Sequence, residues 1–133
     1  MTVLDTNALL WLTKGDARLG RKARRVADRA LATESLAVSA ISFWEIATLC
    51  HKDRIDLGQM AEAWRAKLLE KGTLEIPVTG DIGIAAATLT DAFRDPADRI
   101  IVATAAREGA LLLTSDERIL EWEGSVRRHD ARV

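Results

Sequence analysis

Residues 2–11 read TVLDTNALLW. A short run of β-branched and apolar residues, Thr2-Val3-Leu4, stops at Asp5, and a helical pattern takes over from Ala8. A carboxylate at such a junction has two uses. It can cap the helix by accepting backbone N–H groups, or it can stand at the carboxyl end of a strand, where open α/β sheets collect their ligands. Thr6 and Asn7 are equally good caps and lie closer to the helix, which leaves Asp5 available for the second use. The decision rests on whether other acids recur at equivalent junctions.

They do. SLAVS (35–39) reads as a strand and runs into SFWEIATLCHK (42–52), a helix with Ser42 as its expected cap and Glu45 three residues later, the spacing of a capping box. DPADRIIVATAARE (95–108) is a helix with Asp95 as cap, Pro96 in the first turn, Asp98 one turn in and Gly109 closing it. ALLLT (110–114) reads as a buried strand, and Asp116 opens the short helix DERILEW. Between these lie a helix over 18–32, a helix over 59–70 with Met60, Trp64 and Leu68 at fourfold spacing, the strand LEIPV (74–78), whose proline suits a sheet edge or strand end, and the small-residue helix IGIAAATL (82–89). SVRRH (125–129) is the expected last strand. Strands alternating with helices predict an α/β domain, a central, mostly parallel β-sheet flanked by helices on both faces.

Each acid has a structural reading as a helix cap or first-turn residue. Together, Asp5, Glu45, Asp98 and Asp116 follow strands or open helices at four junctions that a parallel sheet can gather at one edge. Carboxylates held close together repel, and a hard divalent cation removes that penalty. Oxygen donors without His or Cys partners suit Mg²⁺, with Mn²⁺ as a substitute, and not zinc. Phosphodiester hydrolysis by a metal-activated water is the chemistry such a site supports best.

Composition bounds the rest. The chain has 133 residues, 48% hydrophobic and 29% charged, with two prolines and a net charge of −1. One core fits this length, so residues 1–133 are expected to form a single domain. No apolar run is long enough to cross a bilayer, and the N-terminus lacks the pattern of a signal peptide. Cys50 stands alone, without a disulfide partner, which points to a cytoplasmic location and no membrane association. Positive charge is concentrated in RLGRKARRVADR (18–29), where Arg18, Lys22, Arg25 and Arg29 fall on one helical face. That face can meet RNA phosphates, meet a protein partner or simply be solvated. Arg99 either holds phosphate or pairs with a carboxylate. Trp44 and Trp64 read as core or dimer-interface residues, and base stacking is the alternative for the tryptophans.

LDTNALLW (4–11), VSAISFWEIA (38–47), DPADRIIVATA (95–105) and LLTSDERI (112–119) occur in an order that resembles the PIN-domain family, especially the VapC-like toxins of bacterial type II toxin–antitoxin pairs. The resemblance runs from Val3 to about Ile119. It implies a PIN-like three-layer nuclease domain and Mg²⁺-dependent endoribonuclease activity. Asp5, Glu45, Asp98 and Asp116 would be the catalytic and metal-binding acids, and Thr6 and Thr114 the supporting hydroxyls. It also implies a homodimer that a VapB-like antitoxin blocks in a larger toxin–antitoxin assembly. The charge of Arg18, Lys22, Arg25, Arg29 and Arg99, and not the resemblance, makes these the expected contacts to RNA or antitoxin. Phe93 and Cys50 stand where the subgroup often has His and Lys. Two other readings remain open. One is a catalytically silent PIN-like binding domain. The other is a phosphatase or phosphotransferase working through an aspartyl phosphate, which normally needs a second Asp two residues after the first, where this chain has Asn7.

Overall fold

The computed structural model describes residues 1–133. Its strands are β1 (Thr2–Leu4), β2 (Leu36–Ser39), β3 (Leu74–Ile76), β4 (Leu111–Thr114) and β5 (Arg128–Asp130). Every pairing is parallel, and the order is β3-β2-β1-β4-β5. Parallel strands need long crossovers, and helices supply them. These are α1 (Thr6–Lys14), α2 (Arg21–Ala32), α3 (Ala40–His51), α4 (Ala61–Glu70), α5 (Gly80–Ala87), α6 (Pro96–Glu108) and α7 (Glu117–Glu121).

The three central strands are apolar on both faces, as a covered parallel sheet requires. Val3, Ala37 and Leu112 pack beneath Ile82 and Ala86 of α5, Ile101 and Val102 of α6, and Ile119 of α7. Their strand neighbours Leu4, Leu36, Val38 and Leu113 face the other way. They meet Ala8 and Leu9 of α1, Ala23, Ala27 and Ala30 of α2, Ile46 of α3 and Trp64 of α4. The three-layer, PIN-like architecture follows from this period-two alternation between two helical layers.

Several boundaries differ from expectation, each for a local reason. α1 begins at Thr6, because Asp5 itself caps it. α3 begins at Ala40 with Ser39 as its cap, so Ser42 is not the cap and lies fully buried in the first turn. α2 begins at Arg21 after Gly20, which leaves Arg18 outside the helix. α4 begins at Ala61, so Met60 sits at the cap position and is 71% exposed, while Trp64 is buried as expected. The last strand lies further along than SVRRH: Val126 is buried in the core before it, and the Arg128 guanidinium donates back to the carbonyls of Gly124 and Trp122. Pro77 follows β3, which is an edge strand as the proline suggested. Trp44 is not a core residue; it is 62% exposed.

The chain leaves β1 toward β2 and β3 on one side and returns to β4 and β5 on the other. The direction of winding therefore reverses between β1 and β4, and a crevice opens there at the strands' carboxyl ends. No helix is long and apolar enough to cross a membrane.

The C-terminal residues are anchored to the start of α2. Gly20 N–H donates to the Ala131 carbonyl and Lys22 N–H to that of Val133. A Cβ on Gly20 would stand 2.1 Å from the Val133 carbonyl carbon. Gly20→Ala should therefore lower stability by about 1–3 kcal/mol in urea unfolding, the usual cost of forced overpacking. A midpoint and slope equal to those of the wild type would contradict this packing.

Candidate active site

Asp5 leaves the end of β1 and enters the crevice between β1 and β4. One carboxylate oxygen accepts the Ala8 N–H at 2.8 Å, capping α1. The other accepts the Thr114 hydroxyl at 2.7 Å and the Ser115 N–H at 3.2 Å. The assumption that Thr6 and Asn7 relieve Asp5 of capping is thus incorrect, because one residue serves both purposes. Thr114 is fully buried, and its oxygen accepts the Asp116 N–H at 3.0 Å while its proton goes to Asp5. A continuous chain of hydrogen bonds fixes the ends of β1 and β4 against each other.

Glu45 is not the acid of a capping box, since α3 starts three residues earlier than a Ser42 cap would require. It projects from the second turn of α3. The Thr6 hydroxyl donates to one of its carboxylate oxygens, and Ser42 Oγ stands 3.0 Å from the same hydroxyl. Asp98 lies in the first turn of α6, whose N–H groups favour negative charge. Asp95 caps that helix through the Ala97 N–H at 2.9 Å. Asp116 caps α7 by accepting from the N–H groups of Arg118 and Ile119.

These elements enclose a cavity of about 440 Å³ lined by Asp5, Glu45, Asp95, Asp98 and Asp116, with Thr6 and Ser115 between them. All four acids singled out in the sequence therefore meet in one place. Asp95 makes a fifth; its sequence signal was a helix cap, and only the path of α6 shows that the cap faces the crevice. Ser42 and Ser115 were likewise missed, since nothing local distinguishes them from ordinary serines. Arg118 also lines the cavity. Thr114 supports it from beneath.

None of the five acids is paired with a lysine or arginine; the one ion pair at the cavity's lining is that of Glu117 with Arg132. Burial raises the Asp5 pKa against the lowering effect of its hydrogen bonds, and the charge of Asp116 adds to the rise. Burial raises that of Glu45 too, opposed by the Thr6 hydroxyl and reinforced by Asp95 and Asp5. Asp98 is pushed up to about 7, by burial first and then by Asp95, Asp116, Glu45 and Asp5 in turn. The five acids concentrate negative charge, and Arg118, the cation in the lining, makes no ion pair with any of them.

The donor set fits a hard divalent cation. No three of the carboxylates are drawn together as a ready-made metal cage. Mg²⁺ needs none, because it typically takes one or two carboxylates and completes its shell with water and substrate phosphate.

The expected basic contacts are not part of this cavity. Arg18 pairs with Asp16 at 2.7 Å and covers the Trp11 ring. Arg99 donates to the carbonyls of Phe93 and Arg94, both at 2.6 Å, so it pins the turn before α6 and makes no pair with a site carboxylate. Lys22, Arg25 and Arg29 line a separate groove. Phe93 is buried edge-on against Trp122.

The raised pKa of Asp98 has a consequence for metal-free protein. Folding favours its protonated form, so the stability this proton adds is complete below the ordinary value of 3.8 and lost as pH rises through about 7. Asp98→Asn should therefore match the wild type near pH 4 in EDTA. By pH 8 it should be more stable by about 1 kcal/mol or more, several degrees in Tm. A difference that does not change with pH would contradict this electrostatic picture.

Comparison with known proteins agrees with the geometry. The family model described as PIN domain matches residues 2–123. Ribonuclease VapC22 of Mycobacterium tuberculosis (strain ATCC 25618 / H37Rv) is 34% identical over 118 residues, covering 88% of each chain. Among solved structures, a chain of a toxin–antitoxin complex from Klebsiella pneumoniae shares the fold with a TM-score of 0.60 at 20% identity, over 92% of this chain and 93% of that one. The matched segment takes in all four junction acids, and the chain belongs to the VapC-like group of the PIN-domain family.

Proposed function

We propose that this chain is a Mg²⁺-dependent endoribonuclease, the toxin of a VapBC-type toxin–antitoxin pair, acting as one nuclease domain over residues 1–133. The observation that carries the reading is the unpaired group of carboxylates at the point where the sheet's winding reverses. The similarity to Ribonuclease VapC22 supports the substrate class, and the toxin–antitoxin neighbour supports the fold.

Asp5 and Asp98 are the principal ligands in this reading, with Glu45 and Asp116 completing the site or a second metal position. Mg²⁺, or Mn²⁺ in its place, supplies charge neutralisation at phosphorus and acidifies a water for in-line attack. The chain's own residues prepare that chemistry. Thr114 and Ser115 hold Asp5 in a single orientation, and Thr6 fixes Glu45. Cleavage of the P–O3′ bond leaves a 5′-phosphate and a 3′-hydroxyl.

A VapB-like antitoxin blocks this site in the resting pair, in the cytoplasm. The likeness to VapC-like toxins supports a homodimer and a higher assembly, and Trp44, 62% exposed on α3, is a large apolar side chain available to such an interface. Asn7 in place of a second aspartate disfavours the aspartyl-phosphate alternative, and the retention of every junction acid disfavours a silent binding domain.

Asp5→Asn keeps an oxygen for capping α1 and removes the charge. That variant and Asp98→Asn should lose RNA cleavage by more than the roughly 10–100-fold that outer-shell losses cost at metal sites, and EDTA should abolish cleavage by the wild type. Gel analysis of end-labelled RNA, with mapping of the 5′-phosphate, reads this directly. Cleavage surviving both the substitutions and the chelator would overturn the proposal.

A further inference from the structure

A second depression, of about 580 Å³, lies between α2 and the last strand, away from the acid cavity. Lys22, Arg25 and Arg29 line it, spaced so that they follow one another along one side of α2. At 1.5 Å of rise per residue, this row is about 10 Å long. All three side chains are exposed, and none pairs with a carboxylate. The apolar face of α2, carried by Ala23, Ala27 and Ala30, is already seated on the sheet, so these cations have no packing partner to satisfy.

Two further observations distinguish the groove from an ordinary solvated helix face. Thr2, Thr33 and Ser35 share its lining with the cations, and the Thr33 and Ser35 hydroxyls are tied to the last carbonyls of α2, which fixes that end of the groove. His129 of β5 also lines it, and its Nε2 is buried without a hydrogen-bond partner. A row of three unpaired cations along an open groove, with an imidazole from a second element beside it, describes a place for phosphate oxygens.

The groove is connected to the acid cavity by the C-terminal residues. Lys22 N–H donates to Val133 at one end of the row, and Arg132 of the same segment pairs with Glu117, which lines the acid cavity. Lys22, at one end of the row, therefore lies beside the same segment that borders the acid cavity. The acid cavity itself repels a polyanion, so binding energy for one must come from outside it.

We propose that the α2–β5 groove is the docking track for the phosphodiester backbone of single-stranded RNA, with Lys22, Arg25 and Arg29 contacting phosphates that flank the one being cut. This rests on the nuclease reading of the acid cavity and adds to it where the rest of the substrate lies. The contacts are to phosphate, so they add affinity without sequence preference.

The test compares the full-length wild type, K22Q/R25Q/R29Q, and the charge-matched surface control R21Q/K52Q/R54Q. Binding of a fluorescein-labelled 20-nucleotide single-stranded RNA is followed by anisotropy in EDTA across a salt series, with thermal melts to confirm folding. The groove variant should bind about tenfold or more weakly, and its log–log salt slope should be shallower by about 2, as expected for three lost single-strand phosphate contacts. The control should keep the wild-type slope. Hydrolysis of a small phosphodiester, bis(p-nitrophenyl) phosphate with Mn²⁺, should be equal in all three proteins, because it is too short to reach the groove. Equal RNA affinity in the groove variant and the wild type, or an equal loss in the control, would overturn the proposal. If the wild type binds RNA through the groove but hydrolyses neither substrate, the nuclease reading fails while the groove stands as a phosphate-binding track. Competition by inorganic phosphate at the same concentration of phosphate groups as the RNA would overturn the backbone reading in favour of a free-anion site.

Discussion

The hydrogen bonds of Asp5 are the constraint on which the site depends. A single carboxylate closes the start of α1 with one oxygen and binds Thr114 and Ser115 at the end of β4 with the other. It therefore joins the two strands between which the sheet's winding changes direction. Such a carboxylate is buried at a cost, and its three donors offset that cost only in part, since its pKa is still raised. In the proposed function, the same buried, oriented anion that joins these strand ends also receives the cation.

Around it, the helices bring further negative charge from different directions: α3 carries Glu45, α6 carries Asp95 and Asp98, and α7 carries Asp116. Three of these acids lie at or near helix N-termini, where the local N–H groups stabilise a carboxylate. This makes the crowding tolerable in the absence of metal without removing it, as the rise at Asp98 shows. Little of the chain's positive charge answers these acids. Arg18, Arg65 and Arg107 have partners elsewhere, Arg132 pairs with Glu117 at the cavity's lining, and Arg99 is held by backbone carbonyls. The division leaves an acidic centre and, beyond the C-terminal segment, a basic groove.

Much of this was legible in the sequence. Alternating apolar strands and longer helices specify the layered parallel sheet, and the recurrence of an acid at four junctions specifies which residues meet. What the sequence did not show are double duties and directions. Asp5 seemed free of capping because Thr6 and Asn7 are also cap residues, yet the choice depends on where the helix starts, which tertiary packing sets. Glu45 matches a capping box by spacing alone, and a start for α3 three residues earlier, with Ser39 as cap, removes that role. Asp95 carries an unmistakable cap signature, and a cap signature says nothing about which crevice it borders. Trp44, between Phe43 and Glu45, has the pattern of a core residue but lies on the outer side of α3. His129 became informative only when a parallel β5 placed it under α2.

The central claim is that the carboxylates around Asp5 bind a divalent cation. The most direct measurement is an anomalous difference map from crystals of the full chain grown with Mn²⁺. The account predicts a peak in the acid cavity, within coordination distance of Asp5 and Asp98, that disappears in Asp98→Asn crystals grown in the same way. A map with Mn²⁺ bound elsewhere and no peak among these acids would contradict it.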